Sequence, residues 1–234
     1  NDIAVYIITG ENEKDIVKQF RQLIGRSYIP PFWAFGYGQS RWGYRNEQDI
    51  RTVAEKCKEA GVPLDSIYLD IDYMERYKDF TVDKERFPDL KKLSDDMKLQ
   101  GIHLVPIIDA GVKIEDGYDV YEEGVKNNYF CKNAEGKDFV GAVWPGRVHF
   151  PDFLQPEARD WFGRKYAALT DLGIEGFWND MNEPAIFYTE DRLADTCNEI
   201  KKLTSGNMGI NEYFAFTGMV AGLNGNKGDY AKFY

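Results

Sequence analysis

From residue 33 onward, apolar runs of strand length alternate with stretches whose apolar residues recur at helical spacing, the arrangement expected of parallel βαβ units. The first strand is predicted over 33–39. Asn46 then stands three positions before Asp49, a helix-start signature. Ile50, Val53, Ala54 and Cys57 follow on one helix face, and Gly61 ends the helix. A second strand over 66–70 leads to a helix starting near Pro88, with Leu90, Leu93 and Met97 inward and Gly101 as its stop. The third strand, 102–109, comes at once. Pro156 opens a further helix carrying Phe162, Tyr166 and Leu169, Gly173 stops it, and 174–180 reads as the fourth strand.

These strands begin near 33, 66, 102 and 174. Two spacings agree with a βα unit of about 35 residues, the last is about double, and a complete (β/α)8 barrel takes about 250 residues. The pattern therefore predicts an α/β fold, the front half of a TIM barrel with about four βα units. The excess marks an insertion after strand three, around 129–152, rich in Gly, Pro and aromatics and expected over the C-terminal face of the sheet. After Asp180 the pattern offers a helix over 191–203 and a Gly/Asn-rich tail over 222–228, with nothing resembling four more strands. At the other end, 3–9 reads as a strand and 15–23 as a helix. Opening on Asn1, close to an apparent strand, suggests a piece of a longer protein. Residues 1–31 are expected to be the exit from an upstream domain, and 32–234 the barrel half, with 183–234 following its last strand.

Composition narrows the class of partner. With 43% hydrophobic and 15% aromatic residues among 234, the chain can bury a sizeable core. A net charge of −10 and a pI near 4.8 argue against a nucleic-acid partner, which needs clustered Lys and Arg. Cys57, Cys131 and Cys197 are odd in number, far apart and at no metal spacing, so no disulfide framework and no metal site is expected. A reducing, cytoplasmic compartment follows. No signal segment and no run of about eighteen apolar residues is present, so this stretch is expected neither to target nor to span a membrane.

The candidate chemistry lies at the strand ends. Strands two, three and four each finish in aspartate, at Asp70, Asp109 and Asp180, and parallel barrels build their active sites at C-terminal strand ends. The plainer alternative is that an Asp after a strand forms a turn or caps a helix. Alternation puts Trp178 on the side of Asp180, either as an aromatic wall or as core packing. Carboxylates with aromatics and no phosphate cradle suggest glycosidic-bond chemistry, in which one carboxylate attacks the anomeric carbon and another protonates the leaving oxygen. Retaining enzymes hold the two about 5 to 5.5 Å apart, more easily met from different strand ends than by near neighbours, so Glu183 is a poor candidate for the acid.

The stretch Phe177-Trp178-Asn179-Asp180-Met181-Asn182-Glu183-Pro184-Ala185-Ile186-Phe187 resembles the nucleophile signature of glycoside hydrolase family 31, specifically its α-glucosidases. Supporting motifs stand in the same order as in the family: Pro30-Pro31-Phe32-Trp33, Gln39 to Tyr44, Leu69 to Met74, Asp79-Phe80-Thr81, Ile108-Asp109 and Val143 to Gly146. This resemblance implies that Asp180 is the nucleophile, ionised, forming a covalent glucosyl intermediate with net retention. It implies that Asp70 binds hydroxyls of the terminal glucose and that Trp42, Ile107, Trp144, Trp178 and Met181 line that subsite. Glu183 matches a glutamate that supports the nucleophile, or else braces its loop. Asp109 and Asp72 are expected to be structural acids. Members acting on xylosides or sulfoquinovosides usually carry a different nucleophile context, so Met181-Asn182 favours glucose. No segment after Glu183 matches the surroundings of the family's acid/base, so this stretch is expected to hold the nucleophile without the proton donor and to be inactive in isolation.

The resemblance implies no cofactor. The partners expected are an α-glucoside oligosaccharide and the remainder of the same polypeptide, with a homo-oligomer allowed and an upstream β-sandwich before the barrel. Three other readings compete. Asn182-Glu183-Pro184 also looks like the acid/base motif of β-glycoside-cleaving barrels, although the residues before it match family 31. Asp70, Asp109 and Asp180 could hold Mg²⁺ in a lyase or isomerase. A binding subunit could keep the pocket without catalysis.

Overall fold

The computed structural model describes residues 4–182 and 185–189, and the chain divides between Phe35 and Gly36 into two compact units. In the first unit, helix α1 (Glu13–Ile24) starts at Asn12, whose side-chain oxygen accepts the Asp15 N–H at 3.2 Å. None of its residues is buried. The strand predicted over 3–9 does not form. Residues 4–10 are irregular, because an extended segment needs a neighbour for its backbone hydrogen bonds and the unit has no strand among its described residues.

The first strand also differs from expectation. Phe32–Phe35 is a 3₁₀ turn, and β1 is Gly38–Ser40 rather than 33–39. Asp65 sets that late start: its carboxylate accepts the Tyr37 N–H at 2.9 Å, and a Cβ on Gly36 would lie 2.1 Å from the same carboxylate, so only glycine fits there. Helix α2 (Glu47–Glu59) is capped as predicted, with Asn46 accepting the Asp49 N–H at 3.0 Å, and it buries Ile50 and Ala54. Strand β2 (Ser66–Leu69) follows, then helix α3 (Leu90–Lys98). The cap of α3 is Asp89, which accepts the Lys92 N–H at 2.8 Å, so the helix starts beside Pro88 as expected, with the proline directly before the cap.

Strand β3 (His103–Asp109) continues after two residues into β4 (Val112–Lys113), helix α4 (Asp119–Lys126), and the hairpin β5 (Gly141–Val143) and β6 (Gly146–His149). Helix α5 (Pro156–Lys165) opens on its proline, the short helix α6 (Ala167–Thr170) follows it, and then come β7 (Trp178–Asp180) and β8 (Tyr188–Thr189). The fourth strand is shorter than the predicted 174–180, because Glu175 is held by Lys98 at 3.0 Å and His103 at 2.8 Å below the paired region.

One sheet is wholly parallel, in the order β1-β2-β3-β7. Strand β2 meets the N-terminal half of β3 (Leu69 opposite Pro106) and β7 its C-terminal end (Ile107 opposite Trp178), the stagger a curled barrel sheet requires. Ile67, Leu69, Leu104 and Ile108 share one face and are almost wholly buried, in one core with Leu90, Leu93, Met97 and Phe162 from the helices. Burying each such side chain stabilises by about 1.5–3 kcal/mol, which holds the helices to that face and leaves the other for the barrel interior. The second sheet is antiparallel, β4-β6-β5-β8, and follows the end of β3 through the two-residue link Ala110 and Gly111. A Cβ on Gly111 would lie 2.5 Å from a Val143 methyl, so glycine lets the hairpin seat against this link. The predicted helix over 191–203 and the tail over 222–228 lie outside the described residues.

Candidate active site

The parallel register decides which side chains share a face. Asp109 lies opposite Asp180 and Ile107 opposite Trp178. Continuing the β2–β3 register one step past Leu69 and Pro106 puts Asp70 level with Ile107. Side chains alternate along a strand and paired residues of parallel neighbours point the same way, so Asp70, Ile107, Asp109, Trp178 and Asp180 lie on one face. Tyr68 is on it too, its ring edge-on to Trp178 at 6.4 Å. Asn179 points to the helix side, where its side-chain oxygen accepts from the Tyr166 hydroxyl at 2.6 Å.

Each acid is held differently. Asp70 is the cap of the 3₁₀ turn Ile71–Tyr73, with its carboxylate accepting the Ile71 N–H at 2.8 Å, so the turn-forming alternative applies to it as well. Burial pushes its carboxyl above the ordinary range against that hydrogen bond, and the charges of Asp72 and Asp180 add to the rise. Asp109 is only 2% exposed. Burial first, then the charges of Asp180 and Asp70, push it up to about 7. The three strand-end aspartates therefore act on one another, as separate turn formers would not. Asp72 has a partner of its own, with its carboxylate 3.3 Å from Arg86, while its charge still adds to the rise at Asp70.

A fourth acid joins them that the strand pattern does not mark. Asp79, 1% exposed, accepts the backbone N–H of Asp109 at 3.0 Å, and burial followed by the charge of Asp109 pushes its carboxyl well up. It sits in a loop in which Arg76, Tyr77 and Phe80 all adopt positive φ, at 50°, 61° and 61°. Non-glycine residues in that region cost about 1–3 kcal/mol each unless surrounding contacts fix them. Here they do: the Phe80 ring lies 5.0 Å from Phe162 and 5.2 Å from Tyr166, the Tyr118 hydroxyl donates to the Asp79 carbonyl at 2.8 Å, and buried Tyr73 donates to the Ile107 carbonyl at 2.8 Å. Asp79 belongs to one of the stretches that resemble the family, Asp79-Phe80-Thr81. Only its hydrogen bond to a residue 30 positions away gives it a place at the site.

The predicted sugar-lining residues fall into three groups. Ile107 and Trp178 share the face of the acids. Trp42, just past β1, and Trp144, at the tip of the β5–β6 hairpin, form a tilted pair with ring centres 5.8 Å apart, and Phe187 meets Trp144 edge-on at 5.1 Å. Met181, at φ 57°, turns the chain sharply after Asp180 and packs against the small cluster of Val143, Val148 and Phe150. Glu183 lies outside the described residues. A cavity of about 470 Å³ opens beside β7, lined by Ile108, Phe162, Tyr166 and Asn179 from the helix side and by Asp180 itself. Among the described residues, no three His, Cys, Asp or Glu are grouped so as to hold a metal ion.

A curled parallel sheet of this kind has known counterparts. The Glycosyl hydrolases family 31 TIM-barrel domain matches residues 27–226. The chain belongs to glycoside hydrolase family 31. It is 50% identical to Alpha-glucosidase 2 of Bacillus thermoamyloliquefaciens over 185 residues, which cover 79% of this chain and 24% of that protein. It is 38% identical to Neutral alpha-glucosidase C of Homo sapiens over 188 residues, 79% of this chain and 21% of that protein. Among solved structures, a DNJ-bound glucosidase II alpha subunit superposes with a TM-score of 0.72 at 34% identity, covering 76% of this chain and 19% of its own. The chain thus spans a quarter or less of the length of these relatives.

Proposed function

We propose that this chain carries the nucleophile half of the active site of a retaining α-glucosidase, which removes terminal α-linked glucose from oligosaccharides. The observation that carries the reading is the placement of Asp180 at the end of β7, opposite Asp109 and on the face that holds Trp178, Ile107 and Asp70. In this reading the ionised Asp180 attacks the anomeric carbon to give a covalent glucosyl ester, which water then cleaves with retention. Asp70 fixes the orientation of the terminal glucose through its hydroxyls. Trp42, Trp144 and Trp178 offer ring faces to its apolar surfaces, and Ile107 and Met181 line the same subsite. Glu183 supports Asp180. The proton donor comes from another part of the polypeptide.

Two features support the substrate class. The relatives at 50% and 38% identity are both named as α-glucosidases, and this chain carries the Trp178-Asn179-Asp180-Met181-Asn182 context that favours glucose over xylose, within the residues 27–226 that the family model matches. Linkage preference depends on subsites beyond the first glucose, and comparing rates on maltose, isomaltose and nigerose measures it. A cytoplasmic location is part of the same proposal. It rests on the cysteines, of which Cys57 and Cys131 are free thiols.

The test is to treat the complete enzyme with a 5-fluoroglucosyl fluoride, digest it and find the label by mass spectrometry. The expected result is a glucosyl ester on Asp180, together with a loss of turnover of roughly a thousandfold or more in Asp180→Ala. A label on any other residue would overturn the assignment.

A further inference from the structure

The site contains more acid than the proposed reaction uses. Asp180 attacks and Asp70 binds the sugar, which leaves Asp109 and Asp79 as two nearly inaccessible carboxyls without a stated task. Each keeps one buried oxygen without a hydrogen-bond partner, Oδ1 of Asp109 and Oδ2 of Asp79. Among the described residues neither forms an ion pair. The groups that face Asp109 are Asp180 from β7, Asp70 from the end of β2, and Asp79 and Tyr73 from the loop between β2 and α3. Tyr118 and Tyr166 face Asp79. All of these are acids or phenols. A buried cluster of this composition cannot ionise throughout, so protons must remain on some of its members.

The geometry indicates where they remain and what one of them does. Asp79 is the deepest of the acids and is fixed by the Asp109 N–H on its other oxygen. Asp109 is in register with Asp180 on the neighbouring strand. Parallel strands lie about 4.8 Å apart, a gap that two carboxyl groups close with a single hydrogen bond. We infer that Asp109 is a positioning residue for the nucleophile: braced by Asp79, it keeps a proton and donates it in a hydrogen bond to the Asp180 carboxylate, orienting the attacking oxygen without adding a second negative charge. This rests on the reading of Asp180 as nucleophile. Ionised Asp109 would do the opposite, repelling the carboxylate beside it and leaving its own oxygen unsatisfied.

The consequence is a loss of nucleophilic competence as Asp109 gives up its proton. The experiment uses the complete enzyme and the inactivation rate by 5-fluoro-α-glucosyl fluoride, whose fluoride leaves without a proton, so that the rate reports attack rather than acid catalysis. In the wild type the rate falls as pH rises through about 7, the value to which Asp109 is held. Asp109→Asn is neutral at every pH and keeps a donor. It abolishes the alkaline fall and lowers the acid plateau by about tenfold or less, while Asp109→Ala, which has no donor, lowers it further. A wild-type-like alkaline fall in Asp109→Asn overturns the inference. So does equality of the Asn and Ala variants at low pH. If the Ala variant does not fold, the pH profile of the Asn variant decides alone. Mapping the label in wild type separates the two ideas: label on Asp180 with an unchanged Asn profile removes only the role of Asp109, whereas label elsewhere removes the nucleophile assignment itself.

Discussion

The protonation of Asp109 has a thermodynamic signature that is independent of any reaction. Its carboxyl moves from an ordinary 3.8 to about 7 on folding, so the folded protein holds a proton that the unfolded chain has already released above pH 4. Below pH 4 both states are protonated and the group has no effect. As pH rises from there the unfolded state gains a favourable ionisation that the folded state lacks, and stability falls until the folded carboxyl ionises near pH 7. Converted through linkage, that rise corresponds to a loss of the order of 4 kcal/mol, complete by roughly pH 8. Asp109→Asn removes this titration while keeping the shape of the side chain. Urea unfolding at pH 4.5 and pH 8 measures it: the variant should lie near wild type at the lower pH and exceed it at the higher one by a midpoint difference of about 1 to 2 M. Asp79 is also held up and leaves a residual slope in both proteins. Parallel wild-type and variant curves from pH 4.5 to 8 would refute the reasoning, because they would mean that Asp109 is already ionised and stabilised in the fold.

Two further outcomes test how the site is braced. Asp79→Ala leaves the buried Asp109 N–H without its acceptor and should cost about 1–3 kcal/mol at pH 4, whereas Asp79→Asn, which keeps an acceptor, should cost well under that in the same urea titration. Gly111→Ala places a methyl 2.5 Å from Val143 and should destabilise by about 1–3 kcal/mol in thermal unfolding, with most of the loss recovered in the double variant with Val143→Ala.

How much of this was legible in the sequence depends on the range of the interaction. Helix starts are local, and Asn46 reads correctly because its oxygen meets an N–H three residues away. Strand limits are not local. The β1 boundary shifted because Asp65, remote in sequence, occupies the space beside Gly36, and β7 was shortened by Lys98 and His103 holding Glu175. The strand predicted over 3–9 had the right apolar content, but among the described residues its unit offers no strand to pair with. Asp70, Asp109 and Asp180 could be proposed as companions because the βα period puts strand ends together. Asp79 could not, since it reaches the site from a loop whose left-handed residues no propensity favours.

That loop accounts for the ambiguity of an aspartate at a strand end. Asp70 does both things at once, capping a turn and facing the acids, so turn chemistry and site chemistry are not competing explanations there. The cap starts the 3₁₀ turn, and the chain then runs through the strained residues to bring Asp79 under the backbone of β3, beside the residue that is paired with Asp180. A turn former at the end of one strand thereby fixes the end of the next. Substituting Asp70 should for that reason disturb Asp109 as well as the sugar subsite, a coupling that strand ends acting as separate caps would not produce.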